Sequence, residues 1–359
     1  MRRFFATSIF LLLPMVCVCC LPMTRRLSLQ NVPTNIGTVY AERQAGVTVV
    51  VHDIRRDPDI LGQDILQPFT GPDQVQWVYG TEKPGAVAEV FKNAAREAAG
   101  ALGFREGADL AIDIFIKRFQ VDGYQFAYAP MNCIAYGEIE TVLTSAGGAA
   151  RRSRTSRVTY WEDVVFGRDP GKGAFSRIYS QAAWEVTSRI LQEEFPSQPE
   201  AAAVGRGLQT ATGAGNEFDR REAIFWLGLS GGGDAAVGDS LATLFRTAPQ
   251  QEISEAAAEA IGMLGVADAR AELEEVLAGS RKYSNWDIED TEAVWYLLKA
   301  LYLLETPDLD RMIRGTSDLH NRGVLTDLIR FLEAGTFPEL SPAQRQDFER
   351  GVLKLKPSS

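Results

Sequence analysis

The chain has 359 residues, 45% of them hydrophobic and 23% charged, with a formal net charge of −10. This is the composition of a globular protein rather than a disordered one, and its acidic balance disfavours nucleic acid as a partner. With 4 cysteines and 2 histidines there is little material for a disulfide framework or a histidine-rich metal site.

Arg2 and Arg3 precede an apolar run from Phe4 to Val18. Positive charge followed by an apolar core of about 7–15 residues is the pattern of a secretory signal peptide. A spanning helix needs about 20 apolar residues. Pro14, the cysteines and the pair Arg25-Arg26 cut this run short, which favours cleavage over retention.

The segment Val16-Cys17-Val18-Cys19-Cys20 resembles the lipobox of bacterial lipoproteins. That resemblance implies a signal peptide over residues 1–19 and a fatty-acyl (palmitate-type) anchor on the new N-terminal cysteine. Cys20 is the expected lipidation site and Cys19 the alternative. The family's usual Leu and small residue before the cysteine are replaced by Cys17 and Cys19 for Cys20, and by Val16 and Val18 for Cys19. An ordinary cleaved signal and an uncleaved N-terminal anchor are the readings without lipid. With Cys20 first, Leu21 occupies the sorting position, and the resemblance then implies the outer membrane, facing the periplasm. Cleavage there removes two arginines, leaves a net charge of −12, and leaves Cys133 as the sole cysteine besides the anchor.

Residues 20–45 contain Pro22, Pro33 and Gly37 without a sustained period and read as a tether. Val47 to Arg55 alternates around a β-branched core and predicts a strand, followed by a loop rich in Asp, Pro and Gly. From Pro84 to Leu102, Val87, Val90, Phe91, Ala94, Ala98 and Leu102 recur at helical spacing. Alternation over 110–117, 134–142 and about 155–165 predicts three strands, with Gly147-Gly148 as a hairpin turn. Phe175, Ile178, Ala182, Val186, Ile190 and Leu191 predict a closing helix over 173–194. The order β-α-β-β-β-α over residues 46–196 implies an α+β domain with both helices on one face of the sheet. On the strand Val47-x-Val49-x-Val51-x-Asp53-x-Arg55 and this order of elements, residues 46–195 resemble the YajG-type bacterial envelope lipoproteins. That resemblance implies no catalytic residues.

Residues 197–215, rich in Gly, Ala and Thr, read as a linker. Beyond it the pattern is helical and repeats. Glu222-Ala-Ile-Phe-Trp-Leu-Gly228 returns as Glu259-Ala-Ile-Gly-Met-Leu-Gly265, and Lys299-Ala-Leu-Tyr-Leu-Leu-Glu305 is a looser copy. Second helices follow at Leu241, Leu244 and Phe245 and at Leu273, Val276 and Leu277. Helical hairpins at this period resemble HEAT repeats, so residues 216–357 are expected to form an all-α solenoid, with helices at 321–334 and 341–355 extending or capping the stack. Residues 200–340 carry 12 basic and 24 acidic residues against 19 and 21 in residues 20–199, so the acidity belongs to this half.

Few residues suggest chemistry. His52 on a strand and His320 beside Asp318 read as packing and capping residues, and Cys133 as an inert buried thiol. Asp287, Glu289, Asp290 and Glu292 suit a helix N-terminus better than a metal. Gly231-Gly232-Gly233 lacks the Lys-Ser/Thr of a phosphate loop and reads as a turn. Trp226, Trp286, Trp295, Tyr296 and Tyr302 are expected mostly in the core. The run Arg151, Arg152, Arg154 and Arg157 is a candidate contact for anionic headgroups, with a charged strand edge as the alternative. No catalytic residue, metal or cofactor is expected. The leading expectation is a lipid-anchored, non-enzymatic scaffold that holds a protein partner on its repeats. The alternative is a lipid- or small-ligand-binding accessory subunit of an envelope transport system.

Overall fold

The computed structural model describes residues 22–32, 42–43, 45–67, 74–126, 131–164, 173–196, 199–230, 235–286, 290–315 and 322–356. The chain is an α+β unit followed by a helical solenoid. Among the described residues eight strands form one mixed sheet: β1 (Met23–Leu27), β2 (Gly46–Asp53), β3 (Ile60–Gln67), β4 (Gln74–Thr81), β5 (Arg105–Glu106), β6 (Leu110–Phe126), β7 (Met131–Ser145) and β8 (Ala150–Val164). The long strand β6 organises it. One side of β6 pairs in parallel with β2 through Leu110–Ile116 and with β3 through Asp122–Phe126, and its other side pairs antiparallel with β7. The path β1-β4-β3-β6-β7-β8 ends in β1 and β8, and a branch β6-β2-β5 ends in β5. Gly148 turns the β7–β8 hairpin at φ +76°, where the Gly147-Gly148 pair predicts it.

Helices α1 (Ala86–Ala101) and α2 (Ala174–Glu194) lie together on one face, as the pattern predicts. Phe91, Phe119 and Tyr179 join α1, the sheet and α2. Gly137 makes that contact possible, because a Cβ there would lie 2.6 Å from the Phe119 ring.

Three expectations need correction. First, the stretch read as a tether enters the sheet: Met23–Leu27 pairs in parallel with Trp77–Thr81, and the Gln30 amide donates to Ser176 Oγ at 3.0 Å. Five residues are too few to display a period. Second, the loop expected after β2 contains β3 and β4, whose alternation is interrupted by Gly62 and Gly80. Third, the expected linker contains α3 (Ala201–Thr212), with Ala203, Val204 and Ala211 buried. Its Gly207 seats the Trp226 ring, which a Cβ would meet at 2.8 Å.

The solenoid continues through α4 (Glu217–Ser230), α5 (Ala235–Thr247), α6 (Gln251–Leu264), α7 (Arg270–Leu277), α8 (Thr291–Leu303), α9 (Leu309–Gly315) and α10 (Arg322–Ala334). The repeated heptapeptide falls on α4, α6 and α8, which stack as neighbours. Small residues set their spacing. A Cβ on Gly228 would lie 2.8 Å from the Ala260 Cα, and one on Gly262 would lie 2.7 Å from the Ala300 Cα. Gly265 ends α6 in the left-handed conformation at φ +74°.

The two halves are not separate bodies, since one continuous buried cluster runs from Leu27 to Phe337. Because Gly137 faces α2, the neighbouring Tyr136 points to the other face of the sheet, where the α10 residue Phe331 meets it edge-on at 5.5 Å. The last helix, α11 (Pro342–Leu355), leaves the stack it was expected to cap. Its Val352 and Leu355 pack on Val75 and Val78 of β4, beside β1.

Candidate functional site

Strand β8 is an outer strand, so alternate backbone carbonyls along it lack a strand partner and must be satisfied otherwise. The solenoid does this. Lys299 Nζ donates to the Thr159 carbonyl at 2.6 Å, and the Tyr296 hydroxyl donates to the Trp161 carbonyl at 3.3 Å. Lys299 also pairs with Glu259 and stands 4.8 Å from the centre of the Tyr160 ring. Two residues one helical turn apart on α8 thus match two carbonyls two residues apart on the strand.

Between this contact and α2 remains a cleft of about 500 Å³, lined from β8 by Glu162, from α2 by Arg177 and Gln181, and from the array by Arg221, Glu222 and Phe225, among others. That volume is in the range of small-ligand sites. The first residue of each repeat copy, Glu222, Glu259 and Lys299, lines this one cavity. Equivalent positions of stacked repeats fall on one face of the array.

Its charges are largely paired. Arg177 meets Glu162 at 2.8 Å and lies 5.6 Å from the Phe218 ring. Arg221 sits 3.9 Å from Glu217 and donates to the Tyr296 hydroxyl at 3.3 Å. Burial opposes the charge on Arg221, but Tyr296 and the carboxylates of Glu162, Glu292 and Glu255 raise its affinity for the proton. Burial likewise holds the Tyr160 and Tyr296 hydroxyls well above their usual range, and Tyr160 donates to Glu185 at 2.5 Å. Among the described residues, Glu222 and Glu252 have no ion-pair partner within 4.0 Å. Burial, reinforced by the charge of Glu162, pushes the Glu222 carboxyl up to about 7. The buried indole nitrogens of Trp161 and Trp295, also in the lining, have no hydrogen-bond partner. The arrangement offers carboxylates and aromatic walls.

The residues singled out from sequence lie elsewhere. Cys19 and Cys20 lie outside the described residues, as do Asp287, Glu289, His320 and Gly231–Gly233. The arginine run is engaged within the chain. Arg151 meets Glu194 at 2.8 Å, Arg152 meets Glu193 at 2.8 Å, Arg154 pairs with Glu193, and Arg157 donates to the carbonyls of Leu332 and Glu333. His52 lies 3.0 Å from Asp113 and stacks on Phe115, and Cys133 is buried in β7. Asp290 caps α8 by accepting from the Glu292 amide. Trp226, Trp295 and Tyr296 are buried, the last two in the cleft wall. No described helix is long and apolar enough to cross a membrane. Among the described residues no group of His, Cys, Asp and Glu is arranged to hold a metal ion.

Sequence reasoning passed over the cleft because it weighed the repeats as packing units. The available signal was the first position of the heptapeptide, charged in all three copies at the edge of an apolar motif.

No family model matches the chain, and no curated protein matches it. Among solved structures it is similar to a DUF330 protein from Xanthomonas campestris, at 18% identity over 47% of this chain and 92% of the other, with a TM-score of 0.29. It is also similar to a structure described as an uncharacterized protein, at 11% identity over 47% of this chain and 99% of the other, with a TM-score of 0.24. Similarity at this level carries no statement about function.

Proposed function

We propose that this chain is a lipid-anchored protein of the bacterial envelope, facing the periplasm from the outer membrane, and that it acts by binding rather than by catalysis. The export signal, the lipobox-like cysteines and the resemblance to YajG-type lipoproteins followed by HEAT-like repeats support the anchor and the compartment. The cleft supports the binding role, and it is the observation that carries this reading. The inner helices of the array lie against β8 and α2, so the part of the inner face left for a ligand is this cleft of about 500 Å³. That favours a small molecule, or a single inserted side chain, over a broad protein surface laid along the repeats. Glu222, half-buried and raised in pKa despite the nearby Arg177 and Arg221, and the exposed Glu252 make no ion pair within 4.0 Å among the described residues, which favours a positively charged group there.

The test is native mass spectrometry of protein extracted from membranes, wild type beside Glu222→Lys. A small molecule or crosslinked basic segment retained by the wild type and lost from the variant is the expected result. Equal retention by both, or no bound species in either, overturns the cleft as the binding place.

A further inference from the structure

We infer that the edge of the sheet formed by β1 and the C-terminal half of α11 is the surface that lies on the membrane. This inference rests on the lipid anchor proposed above, and it adds an orientation that the anchor alone does not supply.

The first described residue, Pro22, is buried, and its carbonyl accepts from Lys354 Nζ at 3.0 Å. From Met23 onward the chain is strand. Arg26 fastens β1 to its surroundings by donating to the carbonyls of Thr81 and Leu355. An extended chain spans at most about 3.3–3.6 Å per residue. A lipid on Cys20 is therefore held within about 7 Å of Pro22, and one on Cys19 within about 10 Å. The segment that a sequence reading treats as a tether leaves no slack before the fold begins.

The chemistry around this entry point suits a lipid surface. Among the described residues five large apolar side chains are exposed, and two of them are here: Met23, 47% exposed, and Leu353, 69% exposed and the most exposed of the five. Arg25, Arg350, Lys354 and Lys356 are exposed around them. The stretch Arg350-Gly-Val-Leu-Lys-Leu-Lys356 carries three positive charges and no negative one, in a protein whose net charge is −10. Asp57, Asp347 and the exposed Glu349 lie at its margin, the first two 3.0 Å from Lys356 and 3.5 Å from Arg350. Apolar side chains ringed by basic ones are the pattern of an interfacial contact with anionic lipid. Held this way, the cleft at β8 stands five strand spacings across the sheet from the membrane edge, about 24 Å at ~4.8 Å per spacing.

The test uses full-length protein matured in cells, with an environment-sensitive fluorophore on Leu353→Cys or, as the control, on Thr155→Cys, where the native side chain is exposed on β8 at the other end of the sheet path. Each protein is placed in vesicles of phosphatidylethanolamine with one third phosphatidylglycerol, with and without brominated acyl chains. Quenching by the brominated lipid at least threefold stronger at position 353 than at position 155 is the expected result. Equal quenching, in protein whose intact mass includes the acyl groups, overturns the orientation and leaves the anchor standing. An intact mass without acyl groups overturns both. A probe at position 353 that is shielded from aqueous quencher yet untouched by brominated lipid marks a protein occupant, and overturns the inference as well.

Discussion

Two outer strands of the sheet, β8 and β1, meet the helices in opposite ways. At β8, Lys299 and Tyr296 reach across from α8, lose their water, and take up two backbone carbonyls inside a region of paired charges. At β1, Arg26 and Lys354 make comparable bonds to carbonyls while remaining exposed. The chemistry of the donors is alike, and burial separates them. A buried charge must keep its partner, whereas an exposed one can exchange its partner for water. The β8 edge is thus fixed and encloses a cleft, while the β1 edge keeps its basic groups available to an outside surface.

The largest effect is expected where that difference is greatest. Lys299→Met leaves Glu259 buried without its cation and the Thr159 carbonyl without a donor, and should cost about 3–5 kcal/mol in denaturant unfolding. Adding Glu259→Met to it should recover part of the loss; a double variant as unstable as the single one would remove the buried charge as the cause.

Gly262→Val comes next, because its Cβ would lie 2.7 Å from backbone of the neighbouring repeat. A loss of about 1–3 kcal/mol is expected, with α6 and α8 losing hydrogen-exchange protection together. A change below ~0.5 kcal/mol would show that the array yields there more easily than the β8 contact implies.

The cleft carboxyl gives a pH signature. Glu222 titrates near 7 when folded against 4.5 for the free group, so the native state holds an extra proton between these values. Stability should therefore fall as pH rises from 4.5 to 7, by up to about 3 kcal/mol from this group. Glu222→Gln should flatten the slope, leaving the parts due to Glu255 and Asp122, which burial pushes up to about 7 and about 6. An unchanged slope would show that Glu222 ionises normally and that the cleft is wetter than its lining suggests.

The smallest effect belongs to the exposed edge. Arg26→Ala should cost about 1 kcal/mol, since water replaces its bonds to Thr81 and Leu355. A loss as large as that of Lys299→Met would erase the distinction between the two edges.

Legibility followed the length over which a pattern could repeat. Helix α1, the hairpin turn at Gly148 and the heptapeptides on α4, α6 and α8 were all readable, because each either recurs at a fixed period or carries a turn residue that backbone sterics demand. Strands β1, β3 and β4 were missed, being short or broken by glycine. The arginine run read as an outward-facing patch because its partners, Glu193, Glu194 and the carbonyls of α10, lie at least 36 residues away in the chain.

By itself, then, the amino-acid order determined the α+β unit, the helical array after it and the spacing of the repeats, since hydrophobic periodicity acts over neighbouring residues and is written locally. Tertiary structure decided that the two halves share one core, that β1 starts at residue 23, and that Glu222, Glu259 and Lys299 face a strand. Those outcomes depend on which apolar face meets which and on which open carbonyl finds a donor, and these are pairings between distant segments that no local pattern specifies.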